Sequence, residues 1–381
     1  MTHAAARDGR TAHRRAQARV LVLSGGTHVG RNVLATLASR RAEVAAIATS
    51  SVCDEPALFD FDAVHRVPPV ADAGFEDALL RILDDERIDL VIPCRDADVA
   101  FLGGLRDRRP DLAPRLLAGN EATARIIGDK ALSHRFCAER GLPFAETIQA
   151  CGADEQAAFV ARHGFPIVTK PARGWASMNV VLVNTPAQLA RALARPGYVA
   201  QPFLGDAQSM ASFLAAGITE GVPVRHDFQG VKQTIQALIA PDGQVAGVFS
   251  MESARSQRAS KRAVVSREPD TIAVGVRTAE AFAAAGWRGP LNLQCRRTTS
   301  GDVRIHEFSG RFTGATVDRW LLGFDEVGLA ITLFTGCALV DERTRRAPAA
   351  AALEATGYRT LLPDHAHAAN LARDGHWRRA S

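Results

Sequence analysis

The segment from Val20 to Thr49 places the tightest constraint on the fold. An apolar run, Val20 to Ser24 (VLVLS), leads through a glycine turn (SGGTHVG) into a helix over Arg31 to Arg41, and a second apolar run follows at Val44 to Thr49. A buried strand, a tight turn, a helix and another strand in this order are typical of a parallel sheet covered by helices. We therefore predict a Rossmann-like domain over residues 19 to 118.

The next stretch continues the alternation of helices and strands. Leu90 to Pro93 (LVIP) reads as a further buried strand. The helix before it has its apolar residues on one face, at spacings of three and four: Phe75, Ala78, Leu79, Ile82 and Leu83.

The glycine turn invites comparison with dinucleotide-binding proteins, because glycines there let a phosphate approach a helix N-terminus. Its spacing is G-G-x-x-x-G, which is found in extended short-chain dehydrogenases. Those enzymes need a Tyr-x-x-x-Lys pair, but the residues four positions after the two tyrosines of this chain are Pro202 and Leu362. An NAD-dependent dehydrogenase-like protein therefore stays a remote alternative. We instead predict a packing role in the turn for three glycines, Gly25, Gly26 and Gly30.

Beyond residue 119 the strands come in hairpin-like pairs, which predicts an α+β domain with antiparallel sheets over residues 119 to 337. A C-terminal extension, partly disordered, follows over 338 to 381. The predicted helices cover residues 122–127, 130–140 and 269–285. The predicted strand pairs are 166–170 with 179–183, 234–240 with 245–250, and 291–297 with 303–308.

The charge distribution argues against nucleic acid as a partner. The chain has 46 basic and 41 acidic side chains, but the excess lies at the two ends. The first 18 residues form a predicted disordered basic tail, and the body between the ends is close to neutral, without the basic patch of a nucleic-acid binder.

Apolar runs and cysteines limit the setting in which the chain works. The most apolar uncharged run, Val327 to Val340, has 14 residues, and a membrane span needs about 20. We therefore expect no membrane partner. The six cysteines are scattered without a C-x-x-C pair, which favours a reducing, cytoplasmic location.

The segment from Leu291 to Thr316 (LNLQCRRTTSGDVRIHEFSGRFTGAT) carries the most informative polar residues. A hairpin turn at Ser300-Gly301, or a four-residue loop with the same register, places Gln294 directly opposite Glu307. Their Cβ atoms would be about 5 Å apart on one face. Such oxygen ligands suit Mg²⁺ when it also bridges phosphates.

Further polar residues extend this face. Ser309 lies two residues past Glu307 and therefore projects to the same side, with Asn292 opposite it. Arg311 adds a cation to the same row. A plain polar solvent face on a hairpin is the alternative interpretation.

Several segments, taken in order, resemble those of ATP-grasp enzymes, most closely the carbamoyl-phosphate-synthetase-large-subunit-like branch. They are IDLVIPCRDADVAFL, IIGDKALSHRFCAERGLPFAET, GFPIVTKPARGWASMNVV, YVAQPFLG, and LNLQ with HEFSGRFTGAT. The resemblance spans about residues 19 to 337. It implies a Rossmann-like pre-ATP-grasp domain followed by a two-lobed ATP-grasp domain, with ATP and Mg²⁺, or Mn²⁺ in its place, as cofactors.

The resemblance also implies roles for individual residues. The lysines of the phosphate site match Lys130 and Lys170, and the catalytic group consists of Arg311 with Lys170. The lid over the phosphates matches residues 173 to 180, including Gly174 and Ser177. The other implied contacts are the adenine hinge at Gln201, Phe203 and Leu204, the ribose contact at Gln233 or alternatively Gln208, and the metal ligands Gln294, Glu307 and Ser309.

This sequence departs from the family pattern at four of these positions. Ser309 stands where Asn is usual, and Asn179 where Gly is usual in the lid. Gln201 stands where Glu is usual in the hinge, and Gln233, or alternatively Gln208, where Glu is usual at the ribose. A hydroxyl is a weaker Mg²⁺ ligand than an amide carbonyl, and Asn292 could supply the missing carbonyl.

The resemblance implies an ATP-dependent, ADP-forming carboxylate-amine ligase that acts through an acyl phosphate on amino-acid-like substrates. Its expected partners are a small carboxylate and an amine, and a homodimer is compatible with this reading. The loss of acidic residues near ATP leaves a second hypothesis, a catalytically weak nucleotide-binding module.

Overall fold

The computed structural model describes residues 18–174, 178–221, 231–255, 261–339, 352–355 and 364–379. Most of the predicted basic tail and three residues of the predicted lid, 175–177, which include Ser177, lie outside these ranges. No helix within the described ranges is long and apolar enough to cross a membrane.

The first sheet has the strand order β15-β3-β2-β1-β4. Its parallel strands are β1 (Ala18–Val22), β2 (Val44–Ser50), β3 (Ala63–Arg66) and β4 (Leu90–Ile92), and its antiparallel edge strand is β15 (His376–Arg378). The helices of this part are α1 (His28–Thr36), α2 (Phe75–Asp85), α3 (Asp96–Arg108) and α12 (His365–Asp374). The parallel strands predicted from the apolar runs are confirmed.

The strand order reverses at β1, because β2 and β3 lie on one side of it and β4 on the other. A crevice therefore opens at the carboxyl ends of β1 and β4, where open α/β sheets bind ligands. The glycine turn occupies this edge. A Cβ atom added at Gly30 would lie 2.2 Å from the carbonyl oxygen of Gly25, so the turn and α1 pack too closely for a side chain there.

The described end of the C-terminal extension joins this first sheet. β15 pairs with β3, His376 lying opposite His65. Leu371 of α12 is fully buried in the core under the sheet. Residues 364 to 379 are therefore structurally part of the N-terminal domain, although the sequence pattern set them apart.

Two antiparallel sheets build the rest of the chain. A four-stranded sheet has the order β5-β8-β6-β7 and a six-stranded sheet the order β13-β12-β9-β10-β11-β14. The strands of the smaller sheet are β5 (Ile148–Gln149), β6 (Ile167–Pro171), β7 (Val181–Val183) and β8 (Tyr198–Pro202). Those of the larger sheet are β9 (Lys232–Ile239), β10 (Val245–Arg255), β11 (Lys261–Val265), β12 (Gly289–Arg297), β13 (Val303–Ser309) and β14 (Ala352–Ala355).

Helices of this part pack on both faces of the six-stranded sheet, and α6 and α7 pack with the four-stranded sheet. α9 packs on the face that carries Ile235 and Val248, where Gly275 allows close approach. On the other face, Leu322 packs against Met251. The helices are α4 (Glu121–Gly128), α5 (Lys130–Ala138), α6 (Ala153–His163), α7 (Pro186–Leu193), α8 (Ala207–Thr219), α9 (Pro269–Ala284), α10 (Thr316–Leu321) and α11 (Glu326–Thr335).

The predicted pairing of β12 with β13 is confirmed at the polar residues but differs near the turn. Gln294 lies opposite Glu307, and Asn292 lies opposite Ser309. Nearer the turn Cys295 pairs with Ile305, one position out of the predicted register, because Thr298 and Asp302 close a three-residue loop instead of the predicted loop of two or four residues. A β-bulge at His306 makes up the difference.

Candidate active site

Two lysines from different elements converge on the edge strand β13. Lys130 is the first residue of α5, and its Nζ lies 3.5 Å from Oε2 of Glu307. Lys170 lies on β6 and donates a hydrogen bond of 3.3 Å to the carbonyl oxygen of His306. Both lysines are almost fully buried, with 5% and 6% of their surface exposed. The predicted lysine pair is therefore brought together beside the predicted metal ligand.

Burial lowers the pKa of Lys170 to about 8. The carboxylate of Glu307 raises this pKa and the ammonium of Lys130 lowers it, so the neighbouring charges partly offset each other. Two buried ammonium groups beside one carboxylate leave an excess of positive charge in a place poor in water. Such a site favours an anion, since a negative ligand relieves the cost of burying the cations.

The β-bulge turns a backbone group of β13 into part of the site. The carbonyl oxygen of His306 accepts from Nζ of Lys170 and also from Nε2 of Gln201, both at 3.3 Å. Gln201 is buried and donates a second bond, of 2.9 Å, to the hydroxyl of Thr147. Hydrogen bonds to the carbonyl oxygen of the bulge thus connect the four-stranded sheet to the six-stranded sheet beside the lysine pair.

The imidazole of His306 lies within the same cationic surroundings. Its pKa is lowered well below the ordinary value by burial and by the nearby cations Lys170, Arg296, Lys130 and Lys232. The side chain is therefore neutral at physiological pH, and it adds no further positive charge to the site.

Gln294 and Glu307 form the cross-strand pair that the sequence predicts as metal ligands. No group of three or more His, Cys, Asp and Glu side chains that could hold a metal ion exists among the described residues. A divalent ion here would therefore rely on one carboxylate, one amide carbonyl, and oxygens from phosphates and water. Mg²⁺ is usually bound in this way, through one or two carboxylates plus substrate phosphates, so the residues fit it.

A second cross-strand pair, Asn292 and Ser309, lies next to the first and is buried. Asn292 donates through Nδ2 to Oε1 of Gln236 at 2.9 Å and to the carbonyl oxygen of Ile235 at 3.4 Å. Both hydrogen bonds use the amide nitrogen, which leaves the side-chain carbonyl of Asn292 for another contact. This arrangement is compatible with the predicted role of Asn292 beside Ser309.

Arg311 reaches across to the first domain. Its guanidinium donates to both oxygens of Asp96, at 2.8 and 3.2 Å. Asp96 is the first residue of α3, at the carboxyl end of β4. The two-pronged contact fixes the plane of the guanidinium and places Arg311 at the crevice between the domains.

The loop after Arg311 is held by a buried ion pair. Arg319 and Glu326 are fully buried and lie 2.6 Å apart. The same guanidinium donates to the hydroxyls of Thr313 and Thr316, at 2.9 and 3.2 Å. The charge pair therefore anchors the residues that follow Arg311.

Of the remaining predicted nucleotide contacts, Gly174 lies against the lysine pair. The carbonyl oxygen of Gly174 is 3.5 Å from Nζ of Lys130. Phe203 and Leu204 follow directly after β8, beyond its last strand pair at Pro202. Asn179, which replaces the usual lid glycine, has a positive φ of 60°, a conformation that Asn tolerates better than most residues.

The predicted ribose contact at Gln233 is not supported by its position. Gln233 lies opposite Cys295, so alternation along β9 places its side chain on the face away from Gln294 and Glu307. There it donates to the hydroxyls of Ser266 and Thr271. The alternative ribose residue, Gln208, is exposed near the start of α8.

Two contributors to the site escaped sequence reasoning. The carbonyl of His306 could not be foreseen, because a bulge leaves no reliable mark in a single sequence. Asp96 had a detectable signal, since an acidic residue directly after a buried parallel strand lies at the edge where ligands bind. Its pairing with Arg311 joins residues 215 positions apart.

Comparison with known proteins gives matches to solved structures only. No protein-family model matches the chain, and no curated protein matches its sequence. N5-carboxyaminoimidazole synthetase from Staphylococcus aureus complexed with ADP aligns with a TM-score of 0.63 and 13% identity, over 85% of this chain and 79% of that chain. The L-amino acid ligase from Bacillus licheniformis aligns with a TM-score of 0.58 and 15% identity, over 84% and 74%.

The biotin carboxylase domain of Hydrogenobacter thermophilus 2-oxoglutarate carboxylase, in complex with MgADP, ADP and bicarbonate, aligns with a TM-score of 0.58 and 13% identity. The match covers 84% of this chain and 69% of that chain. These structural neighbours are ATP-grasp ligases. The predicted fold class, a Rossmann-like domain followed by an ATP-grasp domain, is confirmed.

Proposed function

We propose that the chain is an ATP-dependent, ADP-forming ligase that joins a carboxylate to an amine through an acyl phosphate. The observation that carries this proposal is the convergence of Lys130 and Lys170 on β13 at Glu307, with Arg311 four residues further along the chain and held by Asp96 of the first domain. Phosphoryl transfer needs cations and hydrogen-bond donors around a phosphoryl group, with little covalent work by the protein.

Each residue then has a physical role. Lys130 and Lys170 bind the triphosphate and neutralise its charge, while Gln201, Phe203 and Leu204 line the adenine end. Glu307 and Gln294, with Ser309 or Asn292 beside them, would hold Mg²⁺, which when bound screens the phosphates from one another.

The reaction can be written in two steps. A carboxylate oxygen of the acid attacks the γ-phosphorus of ATP, the bond to the bridging oxygen breaks, and ADP leaves. The amine nitrogen then attacks the acyl carbon, inorganic phosphate leaves, and the nitrogen loses a proton. Arg311, oriented by Asp96, stabilises the negative charge of the transferring group.

Structural similarity supports this reaction class. The neighbours include a ligase for L-amino acids and a carboxylase domain bound to MgADP and bicarbonate. We propose amino-acid-like substrates, and we propose that within the ATP-grasp enzymes the chain is closest to the carbamoyl-phosphate-synthetase-like branch. A homodimer is compatible with this proposal, since one neighbour is described as a domain dimer.

A nucleotide-binding module with little turnover is the second candidate. The observation in its favour is that Gln201 replaces the usual hinge carboxylate and that Ser309 offers a hydroxyl to the metal, so Glu307 is the one carboxylate of the predicted metal set Gln294, Glu307 and Ser309. A weakly held second metal would permit nucleotide binding but slow the transfer step.

Release of ADP separates the two candidates. The protein is mixed with ATP, Mg²⁺ and pairs of L-amino acids, and ADP is measured with a coupled assay. Glu307→Gln should abolish release. Glu280→Gln, which removes an exposed carboxylate from α9, should leave it unchanged. Binding of MgADP without ADP release from any pair would overturn the ligase proposal and support the binding module.

A further inference from the structure

Two rows of polar side chains cross the six-stranded sheet on the face that carries Glu307. Directly paired residues share a face, so the register of β13, β12 and β9 defines both rows. The metal row is Glu307, Gln294 and Thr234. The amide row is Ser309, Asn292 and Gln236.

The β9 members of these rows carry buried polar atoms without partners. Oγ1 of Thr234 and Nε2 of Gln236 have no hydrogen-bond partner within the described part of the chain. Gln236 is 1% exposed. Leaving a buried donor unpaired is costly, and such groups are rare in folded proteins. A ligand that accepts from both groups would remove this cost.

The orientation of the Gln236 amide follows from its neighbours. The carbonyl oxygen of Ile235 can only accept, so the atom of Asn292 that approaches it must be the donor Nδ2. That same Nδ2 approaches Gln236, which must therefore present its carbonyl oxygen. The NH₂ group of Gln236 is left as the unpartnered end.

The position of these donors identifies what they would bind. Lys130 and Lys170 lie at the β13 side of the metal row, whereas Thr234 and Gln236 lie two strands away, about 10 Å across the sheet at the usual strand spacing. A triphosphate held by the lysines would present its terminal phosphoryl group to the metal row. The donors of β9 then face the group that receives the phosphoryl.

We propose that Thr234 and Gln236 bind the carboxylate of the acyl substrate and so determine which group is phosphorylated. This inference rests on the proposed ligase function. A hydroxyl and an NH₂ group can both donate to one carboxylate, and neither adds a charge that would hold a second phosphate. The subsite therefore selects for a carboxylate that lies within reach of the metal row.

Two isosteric variants test the assignment. Thr234→Val removes one donor and keeps side-chain size. Gln236→Met also keeps side-chain size but removes both the NH₂ donor and the carbonyl oxygen that accepts from Asn292, so Thr234→Val is the cleaner test. Each variant should raise the KM for the acid by about 10- to 100-fold, and the dissociation constant of the acid in the presence of MgADP should rise equally. This is the effect expected from losing one hydrogen bond to a charged group. The dissociation constant of MgADP should stay within a factor of two or so. Thr278→Val is the matched control, because it removes a buried hydroxyl from α9, on the other face of the sheet.

The probes are the twenty L-amino acids, their N-acetyl derivatives and their C-terminal amides, each titrated by calorimetry with MgADP present. Binding should require the free carboxylate, so an acid and its N-acetyl form bind while the amide does not. Thr234→Val should also leave the free energy of unfolding unchanged or raised, since the hydroxyl has no partner to lose. A purely structural role would lower it.

The outcomes separate this inference from the proposed function. Suppose that an acid binds the wild type, binds both variants only weakly, and yields no ADP. That result would overturn the ligase proposal and support the carboxylate subsite. ADP release with an unchanged KM for the acid in both variants would retain the ligase and overturn the subsite. Failure of the wild type to bind any carboxylate in the presence of MgADP would overturn the subsite as well.

Discussion

Replacing Lys170 by methionine should make the protein more stable at pH 7 while abolishing its affinity for MgADP. Lys170 is buried, and burial lowers its pKa from 10.5 to about 8. The native state therefore holds the ammonium less favourably than the unfolded chain does. Methionine has a similar length and no charge, so it fills the same space without that cost.

The size of the effect follows from proton linkage. Below pH 8 both states carry the proton, and the difference between pKa values of 10.5 and about 8 corresponds to about 3 kcal/mol against folding. Between pH 8 and 10.5 the unfolded chain binds a proton that the native state does not, so wild-type stability rises with pH. At pH 9.5 the remaining penalty is about 1.4 kcal/mol. Loss of the bond to the His306 carbonyl offsets about 1 kcal/mol of the gain, and Gln201 still donates to that oxygen.

Urea denaturation of both proteins at pH 7 and pH 9.5 measures this difference. We expect the free energy of unfolding of Lys170→Met to exceed that of the wild type by about 2 kcal/mol at pH 7 and by less than about 1 kcal/mol at pH 9.5. Arg191→Met removes an exposed cation from α7 and should show no such pH-dependent difference. A stability difference for Lys170→Met that is the same at both pH values, or a destabilised variant at pH 7, would refute the reasoning.

Three other changes probe the supports of the site. Asp96→Asn removes the charge that orients Arg311, so turnover should fall about 10-fold while MgADP affinity holds; a parallel loss of affinity would contradict this role. Arg319→Met leaves the Glu326 carboxylate buried and unpaired, which should cost about 3–5 kcal/mol in urea denaturation. The double variant Arg319→Met/Glu326→Leu should recover most of that loss, and no recovery would argue against an unpaired charge as the cause. Gly30→Ala should lower the free energy of unfolding by about 1–3 kcal/mol, because its methyl group meets a backbone carbonyl, and a neutral result would mean that the turn can move.

The hairpin of β12 and β13 shows how far sequence reasoning reached. Alternation and a glycine in the turn were enough to place Gln294 opposite Glu307, and the structure has this pair. The loop has three residues, between the predicted two-residue turn and its four-residue alternative, and the bulge at His306 restores the predicted register further along the strand. Turn length is a local property, but the position of a bulge depends on what the strand packs against, which a single sequence does not contain.

Other errors had a related origin. Gln233 and Gln236 are both glutamines of β9 with similar surroundings in sequence, and only the pairing partner decides which face each occupies. The family resemblance that implies a role for Gln233 carries no information about the strand register. The contact between Arg311 and Asp96 required knowing how two domains meet, since no periodicity links residues that far apart. Strands, helices and the parallel sheet were predictable because each depends on a short stretch of chain.

The buried polar groups among the described residues fall into two classes, those that have a hydrogen-bond or charge partner within the protein and those that lack one. Arg319 and Glu326 are fully buried charges that pair with each other, which offsets most of the cost of burying them, although Nη1 of Arg319 and Oε2 of Glu326 have no partner among the described residues. The pair holds a loop in place. Lys170, Thr234 and Gln236 are buried with a lowered pKa or without partners, and the two β9 residues share one sheet face beside Glu307. Buried polar atoms without partners also occur elsewhere among the described residues, for example at Ser250 and Gln233. The two on β9 are distinguished by their place on the sheet face that carries Glu307, where a bound ligand would supply the missing partners.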